Sequence, residues 1–238
     1  MKSNVEELAY KNTLLGELTL RRRTETLLQN KDVYEVKLGD EYLMSSLFTE
    51  SERKLAELGL SGLGGSLDVV IGGLGLGYTA AAALANPAVE RVLVIDLFQE
   101  VIEWHRDSLV PLGHEISTDQ RCELRQGDFF ALALTGLDEL NPGRKFDSVL
   151  LDIDHSPEHF LNDSNSSFYT AEGFGAIKRQ LKDGGTFALW SNDDVDEAIA
   201  SRLRSVFGYA AAHKVEFPNP YTNATSVNSV YVARLATT

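Results

Sequence analysis

Apolar and polar residues alternate along "GELTLRRR" and "VYEVKLGDEYLMSS", the period of a strand with one wet face. Gly39-Asp40 supplies a turn between two such strands. Residues 1–48 are therefore expected to form a small antiparallel β appendage. Thr49 and Glu52 have the spacing of a capping box, which predicts a helix over about 50–59.

From Leu67 the pattern changes. "LDVVIG" and "RVLVID" are continuous apolar runs, as in strands buried on both faces. Each precedes a helical segment, "YTAAAALAN" and "FQEVIEWHRDSLVPLG", the second closed by Pro111 and Gly113. "RCELRQGD" reads as a short strand before a brief helix at 129–136, and "FDSVLLDID" as another strand. "YTAEGFGAIKRQLKDGG" predicts a helix with a glycine stop, "TFALWS" a strand and "DVDEAIASRLRSVFG" a helix. "HKVEF" and "SVNSVYVAR", joined through "PNPYTNAT", predict an antiparallel pair. Strands alternating with helices imply an α/β fold: a doubly wound, mostly parallel Rossmann-like sheet spanning 49–238.

With 238 residues, 43% of them hydrophobic, the chain can bury a sizeable core. Its formal net charge of −13 would repel phosphate backbones and anionic membranes, so neither is an expected partner. No apolar stretch reaches membrane-spanning length and "MKSNVEELAYKN" has no apolar signal core, so a cytoplasmic protein is expected. The single cysteine, Cys122, excludes an internal disulfide and is expected to fill space in its strand.

Gly72, Gly73, Gly75 and Gly77 fall between the first apolar run and its helix. Glycine there permits a tight turn and lets a ligand touch the main chain, while the helix start offers unpaired N–H groups. Asp96 closes the next strand 19 residues after Gly77. A carboxylate at that point can accept ribose hydroxyls, or cap the following helix. Dinucleotide sites usually space glycines Gly-x-Gly-x-x-Gly; here Gly73, Gly75 and Gly77 read Gly-x-Gly-x-Gly, which disfavours a nicotinamide cofactor. The spacing resembles that of class I S-adenosylmethionine (SAM) dependent transferases. That resemblance implies nucleoside binding by Gly73, Gly75, Gly77 and Asp96. It also implies that Asp128 of "QGDFF" contacts the adenine amino group, if it does not simply cap a short helix. Asp152 of "LLDIDHSP" would stand beside the transferred group.

Within that superfamily the chain is similar to the spermidine synthases, the aminopropyltransferases, over nearly all its length. "DEYLMSSLF" resembles the segment before that family's first core helix, and "VVIGGLGLGYTAAAALANPAVERVLVIDLFQEVIEWHR" follows its glycine loop, second strand and helix. "GDFF" matches its Gly-Asp pair, "LLDIDHSP" stands at its Asp-Ser-Ser/Thr-Asp-Pro motif, and "HFLNDSNSSFYT" at its mobile gate. Three departures matter. Gly75 replaces the loop aspartate that holds the donor's amine. His155 replaces the second acid of the acceptor motif, with Asp154 inserted before it. Leu43-Met44-Ser45-Ser46 replaces a Tyr-Gln/His-Glu segment that lines the polyamine site. These departures tilt the expected donor toward intact SAM, with methyl transfer to a small amine acceptor. Aminopropyl transfer from decarboxylated SAM, releasing methylthioadenosine, is the alternative; a non-catalytic nucleoside-binding protein is another. The resemblance implies a homodimer.

Both transfers attack a carbon bonded to a sulfonium, a leaving group that needs no metal. The protein must align the nucleophile and exclude water, and an ammonium acceptor must also lose a proton. Asp152 and His155 are the candidates for that task. Asp154, Tyr169 and Trp190 are candidates for the acceptor wall, although Tyr169 can simply begin its helix and Trp190 fill the core. His155 and His159 lie four apart near Asp154 and Glu158, but no further ligand cluster accompanies them, and no metal is expected.

Overall fold

Two sheets organise the chain in a computed structural model that describes residues 5–141 and 143–236. In the first, β1 (Val5–Thr13), β2 (Gly16–Glu25), β3 (Lys31–Leu38) and β4 (Glu41–Ser45) form an antiparallel meander in chain order. Gly39-Asp40 joins β3 to β4, with Gly39 at φ 57°. The strand β1 lacks a clean alternation because both of its faces are largely exposed. Residues 1–4 lie outside the described ones.

The second sheet holds β5 (Leu67–Gly72), β6 (Val89–Asp96), β7 (Cys122–Gln126), β8 (Phe146–Leu151), β9 (Leu181–Ser191), β10 (Gly208–Asn219) and β11 (Ala224–Leu235). Their spatial order is β10-β11-β9-β8-β5-β6-β7. Neighbours from β9 to β7 run parallel, while β11 lies antiparallel to both β9 and β10. Alternate residues of the apolar runs feed two cores. Val69, Ile71, Val92 and Val94 pack under α1 (Glu50–Leu60), α2 (Tyr78–Leu84), α3 (Gln99–Arg106) and α4 (Gly113–Thr118). Val70, Leu93, Ile95 and Val149 face α5 (Phe129–Thr135), α6 (Ala171–Gln180) and α7 (Glu197–Phe207). Strand order reverses at β5, whose successors lie on opposite sides, so a crevice opens at the carboxyl ends of β5 and β8.

Three local expectations need correction. The helix expected to run to Gly113 stops at Arg106; Ser108 takes φ 57°, and a separate helix begins at Gly113. The helix expected to end at the Gly184-Gly185 stop ends at Gln180, because buried Leu181 already pairs with Phe146 of β8. The Thr49–Glu52 capping box does not form: Thr49 makes no side-chain cap bond, and Glu52 turns inward. No helix of the described residues is long and apolar enough to cross a membrane.

Candidate active site

The glycine loop lies where the two central strands end. Asp152 donates its N–H to the Gly72 carbonyl at 2.8 Å, which ties β5 to β8. Gly73 has φ +93°, and a Cβ there would stand 2.0 Å from the Asp152 carbonyl oxygen, so backbone meets backbone with no room for a side chain. Gly73 and Gly75 border a cavity of about 520 Å³. Gly77 does not; a Cβ there would meet Ile116 Cδ1 at 2.2 Å and His105 Cε1 at 2.8 Å. Its role is to seat the start of α2 on α3 and α4, which corrects the expected nucleoside contact.

Asp96 bridges the loop and the next helix. Its Oδ2 accepts from the Leu74 N–H at 2.8 Å and its Oδ1 from the Phe98 N–H at 2.8 Å. Burial raises its pKa above the usual carboxylate range, while these N–H groups pull the other way. Asp96 also borders the cavity, so the capping and the ligand-facing readings coexist in one side chain. Asp128 is similar: its Oδ1 accepts from Phe130 and Ala131 N–H at 2.9 and 3.2 Å as the cap of α5, and the exposed side chain faces the same cavity. Behind the loop, buried His105 donates from Nε2 to the Gly75 carbonyl at 3.0 Å. Burial lowers its pKa to about 4, so the ring is neutral and carries its proton on Nε2. Its Nδ1 is buried and finds no partner among the described residues.

Opposite the loop, Asp152 meets a residue that the sequence pattern concealed. Thr79 of α2 donates to Asp152 Oδ2 at 2.7 Å, and the Thr79 hydroxyl lies 3.3 Å from the Glu52 carbonyl. Glu52 is buried on the cavity side of α1. Burial raises the pKa of both carboxyls, and the negative charge of Asp152 raises Glu52 further. Ser51 Oγ lies 2.9 Å from Glu52 Oε2. It also lies 3.0 Å from the Asn228 amide oxygen, when that amide is turned to accept from Trp190 Nε1 at 3.2 Å. A hydroxyl has one proton to donate. The Ser51 hydroxyl donates to Glu52 in the contact between them, which opposes the rise that burial and the Asp152 charge impose on Glu52. Two buried acids whose carboxyls are both raised form a coupled pair, and its ionised member can take a proton from an ammonium.

His155 stands at the rim, its Nε2 3.0 Å from Glu41 of β4. Trp190 borders the cavity, as expected of an acceptor wall. Asp154 and Tyr169 do not. Asp154 is buried below the wall and accepts from Leu161 N–H at 2.8 Å, Asn165 Nδ2 at 2.9 Å and Tyr169 Oη at 2.8 Å. These bonds hold the segment after β8 in place, so both residues position the wall instead of forming it. His159 sits 3.7 Å from Asp193, on the exterior. Met44 of β4 covers the loop: its Sδ accepts from the Leu76 N–H at 3.0 Å. Burial pushes the Cys122 thiol up to about 12, which suits a packing residue.

Glu52 was hidden because its spacing from Thr49 satisfies a local capping rule. A signal was nonetheless present. Glu52 shares the buried stripe of α1 with Leu55, Ala56, Gly59 and Leu60, where an unpaired acid is out of place.

The Spermine/spermidine synthase domain matches residues 51–217. A polyamine aminopropyltransferase of Pyrobaculum aerophilum is 29% identical over 148 residues, 61% of this chain and 49% of that one. Polyamine aminopropyltransferase 2 of Pseudomonas aeruginosa is 28% identical over 158 residues, 64% and 43% of the two chains. The chain therefore aligns with half or less of these curated relatives' length. The enzyme of Pyrobaculum arsenaticum is 23% identical over 226 residues, 92% of this chain and 76% of that one. The crystal structure of spermidine synthase from Thermotoga maritima superposes with a TM-score of 0.72 at 17% identity, covering 96% of this chain and 72% of that one. At that identity the likeness concerns the fold. With most of its length matched by the domain, the chain belongs to the spermine/spermidine synthase family.

Proposed function

We propose that this protein transfers an aminopropyl group from decarboxylated SAM to an amine, releasing methylthioadenosine. One observation carries the reading. Glu52, Asp96, Asp128 and Asp152 border the cavity, and among the described residues no lysine or arginine does. The carboxylate of an intact methionine tail would enter an acidic site with no cation to pair it, whereas an amine tail finds carboxylates. The Leu76 N–H, a donor such a carboxylate could use, is already taken by Met44. Methyl transfer from intact SAM, favoured from the sequence departures alone, therefore finds no support in the family membership or in this cavity. The relatives named polyamine aminopropyltransferases support the same choice.

In this reading the main chain at Gly73 and Gly75 lies against the nucleoside, Asp96 accepts from the ribose and Asp128 from the adenine amino group. Asp152 orients the acceptor and takes its proton. The freed nitrogen lone pair forms a bond to the carbon beside the sulfonium. The carbon–sulfur bond breaks, and its electron pair stays on sulfur as a neutral thioether. Glu52 stabilises the protonation state of Asp152, and His155 closes the rim. The test is incubation with an amine panel and either decarboxylated or intact SAM, followed by chromatography of the nucleoside product. Methylthioadenosine from the decarboxylated donor supports the reading; S-adenosylhomocysteine, or no product from any amine, overturns it.

A further inference from the structure

We infer that the acceptor is a primary amine whose far end is an uncharged hydrocarbon, and not a diamine with a second ammonium. This rests on the aminopropyl-transfer reading. The cavity has two halves. Gly73, Gly75, Asp96 and Asp128, at the ends of β5 to β7, belong to the nucleoside half. The other half lies between α1, the β4 strand and the ends of β9 and β11.

In that acceptor half the carboxyls converge at one end. Glu52 and Asp152 both border the cavity there, close enough for the Asp152 charge to act on Glu52, and Thr79 Oγ1 ties the Asp152 carboxylate (2.7 Å) to the main-chain carbonyl of Glu52 (3.3 Å). The wall away from them is hydrocarbon: Leu15, Val36, Phe48, Phe217 and Val227. Phe48 and Phe217 have ring centroids 5.6 Å apart, and Tyr221 packs on Phe48 at 6.4 Å. Away from Glu52 and Asp152 the polar side chains on these elements, Tyr42, Ser45, Ser51, Asn192, Ser226 and Asn228, are uncharged. Behind Tyr221 stands a cation: Arg23 Nη2 donates to the Tyr221 hydroxyl at 2.6 Å. The acids beside that cation, Glu25 and Glu35, are already engaged, since both pair with Arg23. At the rim Glu41 is taken by His155. A second ammonium would therefore lose its hydration against aromatic carbon with no carboxylate to replace it, whereas a hydrocarbon end gains from the same burial.

The test compares pentylamine and phenethylamine with cadaverine as acceptors, reading methylthioadenosine release from decarboxylated SAM. A kcat/KM at least 10-fold higher for a monoamine than for cadaverine is the expected result. Val227→Asp, which places a carboxylate in the hydrocarbon wall, should move that ratio at least 10-fold toward cadaverine. Ser226→Asp, at the neighbouring half-buried position bordering the same half of the cavity, serves if Val227→Asp does not fold. Preference of the unaltered protein for cadaverine overturns the inference and leaves the transfer reading standing. Absence of methylthioadenosine with every amine overturns the transfer reading, and this inference with it.

Discussion

Replacing Glu52 by glutamine tests the buried carboxyl pair through stability. Burial, reinforced by the Asp152 carboxylate, pushes Glu52 up to about 8. An unfolded glutamate titrates near about 4.3. A raised carboxyl pKa means that the folded state keeps its proton where the unfolded chain has lost it. The stability gained is full below the unfolded value and drains away as pH rises toward 8. Each pH unit in that window removes up to about 1.4 kcal/mol. Over the whole window the loss has an upper bound of about 5 kcal/mol, on the order of 10 °C in Tm for a chain of this size. Glutamine mimics the protonated acid: its amide can donate to Ser51 and never ionises. Glu52→Gln should therefore match the unaltered protein near pH 4 and outlast it increasingly toward pH 8.5. Thermal melting of the two proteins across that range is the assay, and their difference cancels the titrating groups that do not interact with Glu52. A difference that stays constant with pH would refute the assignment of a buried, coupled pair.

In the proposed mechanism Asp152 accepts the amine's proton; Asp152→Asn keeps the side chain's shape, and kcat should fall by about 10²–10⁴, with methylthioadenosine affinity, read by calorimetry, changed less than threefold. Gly73→Ala drives a Cβ to 2.0 Å from the Asp152 carbonyl at φ +93°, so it should cost about 2–5 kcal/mol and abolish nucleoside binding, as thermal shift would report. His105→Gln keeps a donor at the position of Nε2 and should preserve donor affinity, whereas His105→Leu releases the Gly75 carbonyl and should raise the donor KM several-fold at little changed kcat. Tyr169→Phe leaves the buried Asp154 short of one donor; about 1–3 kcal/mol of local stability should be lost, visible as faster hydrogen exchange in 153–169.

Strands buried on both faces were legible because a continuous apolar run of six to eight residues, closed by glycine or aspartate, is too short for a buried helix and too apolar for a loop. Asp96 was legible from the end of its apolar strand, where a parallel strand places its last residue at the crevice, whereas Asp128, after the polar strand β7, and Asp152 were singled out by the resemblance of their motifs. The helix ends were not. Leu181 leaves α6 early because its side chain belongs in the core beside Phe146, and no local rule expresses that pull. Glu52 escaped for a related reason. Its local spacing matched a cap, but its environment is made by Asp152, a hundred positions later. Met44 and His105 act on the glycine loop from β4 and α3, through contacts that only the folded arrangement creates. Tyr169 shows the reverse error. Its motif position suggested a pocket residue, and the structure spends its hydroxyl on Asp154 instead.

The proposed function makes donor choice depend on an acidic cavity that rejects a carboxylate and accepts an amine. Calorimetric titration of the protein at pH 7.5 with decarboxylated SAM and with intact SAM measures that discrimination directly. Binding of the decarboxylated donor at least 10-fold more tightly, about 1.4 kcal/mol, is the predicted result; equal or tighter binding of intact SAM would contradict it.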